Sequence, residues 1–118
     1  MATPVGPYTP IVRAGDWLVV SGQVGIVDGK LVVGGLEGEL RQAIANLAAL
    51  LASEGAALTD VTKTTVFLRH LGGDYPRMNE LYTELFGDHR PARSAIGVAD
   101  LPLGALVEVE AWAHVGAG

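Results

Sequence analysis

The sequence contains no cysteine, and this absence excludes several kinds of site at once. A chain with 0 Cys forms no disulfide framework, has no thiol nucleophile and builds no thiolate metal site. It also lacks a G-x-S-x-G motif, a phosphate-binding loop and an H-E-x-x-H motif, which mark common classes of hydrolase, nucleotide-binding protein and zinc enzyme. His70, His89 and His114 are far apart in the sequence. We therefore expect solvated histidines near the ends of elements rather than metal ligands.

The sequence also has few basic residues, no long apolar run and no pattern typical of a secretion signal. The 8 Lys and Arg residues against 13 Asp and Glu give a net charge of −5, which argues against a protein that binds nucleic acid through its phosphates. Apolar runs such as residues 47–52 are much shorter than the roughly 20 residues that a membrane crossing requires. The first ten residues resemble no signal peptide. We expect a cytoplasmic protein that binds neither nucleic acid nor a membrane.

Length and composition indicate one globular unit. The 118 residues suit a single domain spanning positions 1–118. The 16 glycines lie mostly between periodic segments, as short turns do. With 49% hydrophobic residues, so small a domain leaves apolar surface uncovered, and self-association would bury it. A monomer with ordinary apolar exposure is the alternative.

Hydrophobic periodicity predicts an α/β (α+β) fold with two helices on one sheet. The first helix covers residues 36–54; the second has its N-cap at Asp74, Pro76 in its first turn and its end at Gly87. Strands are predicted over residues 11–13, 17–21, 61–68, 92–98 and 106–115. Asp28-Gly29 predicts a tight turn between short extended pieces. The polar face of the first helix is expected to carry Glu37, Glu39, Arg41, Gln42 and Asn46.

Arg93 opens a segment, residues 93–98, that otherwise has the composition of an interior strand. A charged side chain within a sheet costs free energy of folding unless the charge has a structural or functional role. Two-residue alternation places Arg93 on the same face as Ala95 and Gly97, which are small enough to leave space before a guanidinium. There it could bind a carboxylate through two hydrogen bonds. A structural ion pair, for instance with Asp100 or a glutamate, explains the pattern equally well.

Glu108 and Glu110 share one face of the last predicted strand, and small apolar residues occupy the other. This alternation is typical of a half-solvated strand, in which both glutamates would be surface charges. If another subunit covers that face, a glutamate near Arg93 becomes a candidate for orienting a water molecule.

Four motifs occur together along nearly the whole chain. They are Ser21-Gly22-Gln23 preceded by Gly6-Pro7-Tyr8, the KTTVFL strand, N-x-x-Y-x-x-x-F from Asn79 to Phe86, and P-A-R-S at 91–94. In this combination the sequence resembles the Rid family of reactive intermediate deaminases, also called the YjgF family.

The resemblance implies a fold, an assembly and a reaction. The fold is chorismate-mutase-like, with a mixed β-sheet and two helices on one face. The assembly is a homotrimer with ligand sites in clefts between subunits. The reaction is that of an enamine/imine deaminase, which hydrolyses 2-imino and 2-enamino acids to 2-oxo acids and ammonia without a metal or organic cofactor. The implied partners are copies of the chain and a small 2-imino or 2-oxo acid.

The resemblance also implies roles for individual residues. Arg93 matches the residue that binds the substrate carboxylate, and Glu108 matches the one associated with the hydrolytic water, so that Glu110 is structural. The positions that match substrate-binding residues are Tyr8, Ser21, Gly22, Asn79 and Ala95. Ala95 stands where relatives often have cysteine, and Trp112 is bulkier than the usual aliphatic residue. We expect these two departures to alter the shape of the pocket.

Two other functions stay open at this point. A non-catalytic member of the family would bind a small carboxylate without turning it over. An RNA-cleaving or chaperone-like role has also been attributed to the family, and the net charge of −5 weighs against RNA as a ligand.

Overall fold

The computed structural model of the protein describes residues 6–116, which form seven β-strands and two α-helices. The strands are β1 (Ile11–Ala14), β2 (Trp17–Gln23), β3 (Ile26–Val27), β4 (Lys30–Leu31), β5 (Val61–Leu68), β6 (Ala92–Gly97) and β7 (Val107–His114). The helices are α1 (Gly35–Ser53) and α2 (Leu71–Phe86). The predicted helices and strands are all present, and their ends differ from the predicted ones by a few residues.

Five strands form one mixed sheet in the order β1-β2-β7-β5-β6. Only β5 and β6 are parallel neighbours in this sheet; its other pairs are antiparallel. Parallel neighbours need a crossover connection, and α2, which lies between them in the chain, supplies it. The buried side chains of the strands and of both helices form a single core cluster. The predicted mixed α+β fold with two helices on one face of a sheet is confirmed.

The expectation of a single sheet is wrong, because β3 and β4 form a separate two-stranded sheet. The predicted turn between them is confirmed, with left-handed φ values of 53° at Asp28 and 80° at Gly29, as primed hairpin turns require.

Asn46 of α1 was expected on a solvated face, but its side chain is half-buried. Its Nδ2 donates to the carbonyl oxygens of Val24 (3.2 Å) and Ile26 (3.0 Å).

The expectation that Glu39 lies on the polar face of α1 is also wrong. Its side chain is buried, and Oε1 accepts a hydrogen bond of 2.8 Å from the N–H group of Leu106. Position 39 follows Leu36 by three residues and precedes Ala43 by four, so it belongs to the apolar stripe of the helix. The bond joins α1 to the residue just before β7.

α2 begins earlier than predicted, and Asp74 is not its N-cap. The helix starts at Leu71 with His70 as N-cap, and the N–H group of Asp74 already donates to the His70 carbonyl oxygen at 2.9 Å. Pro76 consequently lies inside the helix rather than in its first turn. Leu71 packs against β6, where a Cβ on Gly97 would lie only 3.2 Å from the Leu71 Cβ. This contact explains the early start.

The helices leave one face of the main sheet uncovered, and we call it the open face. On β7 the residues Val107, Val109, Ala111 and Ala113 are buried under the helices, while the alternating ones are half-exposed. Apolar side chains on the open face are 36–48% exposed: Val12, Trp17, Val19 and Ile96. Exposed apolar patches of this kind are typical of protein–protein contact surfaces. Within residues 6–116, neither helix has the length and apolar composition needed to cross a membrane.

Candidate functional site

Arg93 lies in β6, at one edge of the main sheet. It pairs with Thr64 of β5, whose side chain is fully buried under the helices. Residues directly opposite each other project to the same face, so Arg93 lies on the helix-covered side. Ala95 and Gly97 follow on that side, as two-residue alternation predicts, and Ala95 packs against the core.

Three side chains of α2 hold the guanidinium group of Arg93. Nη2 donates to the Tyr75 hydroxyl oxygen at 3.1 Å, and Nη1 donates to the sulfur of Met78 at 3.6 Å. The Cζ atom lies 5.6 Å from the ring centre of Tyr75 and 5.0 Å from that of Tyr82, within reach of cation–π attraction. Tyr75, Met78 and Tyr82 are not among the site residues predicted from the sequence. Their spacing of three and four residues, which brings side chains to one helix face, is the signal that could have found them.

Tyr82 is anchored in the core beneath Arg93. Its hydroxyl oxygen lies 2.7 Å from Oγ1 of Thr64. Burial raises the pKa of Tyr82, although the hydrogen bond with Thr64 and the positive charge of Arg93 oppose the rise. The ring is therefore a fixed surface for the guanidinium group.

An ion pair within the described part of the chain does not explain Arg93. Within residues 6–116 the guanidinium has no carboxylate partner, and Asp100 lies instead 3.9 Å from Nε of Arg69. A guanidinium carries five N–H donors, of which Met78 and Tyr75 engage two. The remaining donors have no acceptor among the described residues and can bind an anion.

Asn79 lies one residue beyond Met78 on α2 and is half-buried. Its Oδ1 atom is buried and has no hydrogen-bond donor in the described part of the chain. Buried carbonyl oxygens are seldom left unpaired, so Asn79 has an unused acceptor on the helix that holds Arg93.

Glu108 projects from the open face and lies against Gly22 of β2. A Cβ on Gly22 would lie 2.6 Å from Cδ of Glu108 and 2.9 Å from its Oε2. The absence of a side chain at position 22 therefore makes room for the carboxyl group. Burial raises the pKa of Glu108, and the negative charge of Glu110 raises it further. A carboxylate with a raised pKa is better suited to accept a proton near neutral pH than an ordinary glutamate.

Ser21 and Gly22 form an irregularity in β2. Val20 pairs with Ala111 and Gln23 pairs with Val109, so two residues of β2 lie opposite one residue of β7, as in a β-bulge. Nε2 of Gln23 donates to the carbonyl oxygen of Ser21 at 3.0 Å. Bulges redirect side chains locally, and this one brings the Gly22 backbone to Glu108.

Tyr8 precedes β1 and is 45% exposed. Two residues later, the carbonyl oxygen of Pro10 accepts a 2.9 Å hydrogen bond from the N–H group of Ser21. This bond ties the segment that carries Tyr8 to the bulge in β2.

Arg93 and Glu108 lie on opposite sides of the sheet within one chain. Glu108 pairs with Phe67 of β5 on the open face, whereas Arg93 lies under α2. Two strand spacings of about 4.8 Å also separate β6 from β7. The predicted site residues thus fall into two groups. The arginine group consists of Asn79, Arg93 and Ala95. The glutamate group consists of Tyr8, Ser21, Gly22 and Glu108.

A separate cavity of about 300 Å³ opens on the open face. It is lined by Trp17, Thr62, Lys63 and Trp112. Trp112, expected to reshape the ligand pocket, thus lines a cavity that contains none of the predicted site residues.

Comparisons with known proteins agree with this architecture. The family model described as Endoribonuclease L-PSP matches residues 1–115. A RutC family protein of Pyrococcus horikoshii is 41% identical over 113 residues, covering 94% of this chain and 89% of that protein. The 2-iminobutanoate/2-iminopropanoate deaminase of Homo sapiens is 40% identical over 114 residues, covering 95% and 82%. The crystal structure of RidA from the Antarctic bacterium Psychrobacter sp. PAMC 21119 matches with a TM-score of 0.91 at 32% identity, covering 96% and 92%.

Proposed function

This chain belongs to the Rid family of reactive intermediate deaminases, and from that membership we propose that it is an enamine/imine deaminase. Its substrates are small 2-imino and 2-enamino acids, and its products are the 2-oxo acid and ammonia. The proposed reaction needs no metal and no organic cofactor, because an imine carbon is already electrophilic.

The observation that best supports the proposal is the set of contacts around Arg93. Its guanidinium is held by Tyr75, Met78 and Tyr82 and has no acidic partner within residues 6–116. A fixed guanidinium with free donors binds a carboxylate bidentately. Binding the carboxylate there orients the adjacent imine carbon, and positioning of this kind lowers a reaction barrier by several kcal/mol.

Glu108 supplies the base in the proposed reaction. Its carboxylate accepts a proton from a water molecule as the water oxygen bonds to the carbon of the protonated imine, and the electron pair of the C=N π bond moves to nitrogen, which gives a carbinolamine. Glu108 then returns that proton to the amine nitrogen. The C–N bond breaks and its electron pair leaves with ammonia, while the hydroxyl proton is lost to solvent and the C=O bond forms. General base catalysis contributes about 10²- to 10⁴-fold.

A homotrimer brings the two groups together in this proposal. Since Arg93 and Glu108 lie on opposite sides of one sheet, a ligand that contacts both needs the arginine group of one subunit and the glutamate group of the next. The apolar open face, with Trp17 39% and Ile96 43% exposed, gives a reason for self-association. Three clefts follow from a closed ring of three heterologous contacts.

The test is a coupled assay in which a pyridoxal-phosphate dehydratase generates the imine and its disappearance is followed. Wild type should accelerate the loss of imine, and Arg93→Ala should abolish the acceleration while the mass in solution stays that of a trimer. Arg93→Lys should restore little, since an ammonium group binds no carboxylate bidentately. Unchanged activity in Arg93→Ala would refute this site.

Mixed oligomers test the shared cleft. Chains carrying Arg93→Ala and chains carrying Glu108→Gln should each be inactive alone. After unfolding and refolding together, random mixing combines an intact Arg93 with an intact Glu108 in about one quarter of clefts, so about a quarter of wild-type activity should return. No recovery, with mixed trimers demonstrated by mass spectrometry, would mean that each chain holds its own site.

The alternative is a member of the family that binds small carboxylates without turnover. It predicts saturable binding of a 2-oxo acid, lost in Arg93→Ala, and no acceleration of imine loss by wild type. The same proteins and the same assay therefore separate the two functions.

A further inference from the structure

Tyr75 differs from the other tyrosine beneath Arg93 in having no role in the core. The hydroxyl of Tyr82 is paired with Thr64, and its side chain is buried. Tyr75 is 40% exposed, and its only side-chain hydrogen bond in the described part of the chain is the 3.1 Å bond from Nη2 of Arg93.

The contacts of Arg93 determine how its guanidinium plane is turned. Met78 and Tyr75 each accept a hydrogen bond from one N–H group, and both residues belong to α2, so this helix fixes the plane of the guanidinium. The ring of Tyr75, 5.6 Å from Cζ, adds a cation–π contact. Without the hydroxyl acceptor, the guanidinium can rotate about its last bonds and lose the orientation that two simultaneous hydrogen bonds require.

We propose that Tyr75 is a positioning residue for carboxylate binding, which acts by fixing the orientation of the Arg93 guanidinium. This inference rests on the proposed function only in its choice of ligand, a 2-oxo acid. It assigns to Tyr75 no contact with the reacting carbon and no part in proton transfer.

The first test measures the dissociation constant of 2-oxobutanoate by calorimetry. Tyr75→Phe keeps the ring and removes the hydroxyl, and it should raise the dissociation constant about 5-fold, the effect of one net hydrogen bond. Tyr75→Ala removes both contacts and should raise it about 20-fold. In the deaminase assay the loss in Tyr75→Phe should appear in KM, with kcat nearly unchanged.

Thr83→Val is the matched control, because it also removes a hydroxyl from α2 at an exposed position. It should bind 2-oxobutanoate like wild type. The thermal midpoint of Tyr75→Phe should equal that of wild type, since its hydroxyl has no core partner. Equal dissociation constants for Tyr75→Phe and wild type, or an equal loss in Thr83→Val, would overturn the inference.

The second test is spectroscopic and independent of any activity. ¹⁵N NMR of the guanidinium groups, with Arg93→Lys identifying the Arg93 signals, reports rotation about the Cζ–Nη bonds. Rotation should be slow in wild type and faster in Tyr75→Phe; identical rates would overturn the inference. If wild type binds 2-oxobutanoate but leaves imines unchanged, the deaminase function fails while these two measurements still decide the role of Tyr75. If wild type binds no 2-oxo acid, both proposals fail.

Discussion

The carboxyl group of Glu108 occupies the space in which a side chain on Gly22 would lie, with Cδ 2.6 Å from the position of a Cβ there. The two residues belong to neighbouring strands, β2 and β7, at the bulge. A glycine at position 22 is therefore required by the location of the glutamate, whatever the backbone angles.

Gly22→Ala should displace Glu108 and lower deaminase activity at least 10-fold, because a misplaced base loses most of its contribution. The carboxyl group is the far end of a flexible side chain, so the fold should be retained. Gly72→Ala is the control, since a Cβ on Gly72 meets nothing within 4 Å. Steady-state kinetics and circular dichroism check both variants, and full activity in Gly22→Ala would contradict the role of Glu108.

The pH dependence of hydrolysis should report the environment of Glu108. In the proposed reaction Glu108 is the base and must be ionised, and burial and the charge of Glu110 raise its pKa. The acidic limb of the profile should therefore lie above the usual range for glutamate. Glu110→Gln removes the repulsive charge and should move that limb to lower pH, while the effect of burial remains. An exposed control, Glu80→Gln, should leave the profile of kcat against pH unchanged.

Glu108→Gln should make the protein inactive and more stable at neutral pH. A carboxyl group whose folded-state pKa is above its unfolded value binds more protons when folded, so its contribution to stability falls as pH rises from the unfolded pKa through the folded one. A neutral amide avoids this loss. Urea unfolding at pH 4 and pH 7 checks the sign: the advantage of the variant should be larger at pH 7. An advantage that grows toward pH 4 would contradict the raised pKa.

The pair of Thr64 and Tyr82 should show strong energetic coupling. Both side chains are buried, at 0% and 5% exposure, and their hydroxyl oxygens lie 2.7 Å apart. Tyr82→Phe or Thr64→Val alone leaves a buried hydroxyl unpaired and should cost about 1–3 kcal/mol of unfolding free energy. The double variant should cost less than the sum of the two. Simple additivity in denaturant unfolding would show that the bond contributes nothing.

The segments with strong periodicity were predictable from sequence, and the exceptions have physical causes. The spacing assigns Glu39 to the apolar stripe of α1, whereas its charge favours a solvent-exposed face. The hydrogen bond from the Leu106 N–H group explains why the side chain is buried, and this partner, distant in the chain, cannot be read from the sequence. The early start of α2 depends on the packing of Leu71 against Gly97, a contact between residues far apart in the chain.

The candidate site residues could be chosen from the sequence, but their arrangement in the structure could not. Alternation gives the relative faces of residues within β6 or within β7, but not between them, because both registers depend on β5. The arginine group and its supports lie within one β-α-β unit, residues 61–97, whereas the glutamate group combines both ends of the chain. Pairing across the sheet was therefore needed to find that the groups lie on opposite sides.

The buried hydrogen bond between Glu39 and Leu106 affects how accurately β7 aligns within the sheet. A strand that slips by one position turns every side chain to the other face. For β7 such a slip would bury Glu108 and expose Val107. The bond holds the residue just before β7 to a helix. The alignment of β7 therefore does not depend only on its pairing with neighbouring strands. Glu39, an acidic residue within an apolar stripe, thus helps to fix the face of the sheet on which Glu108 lies.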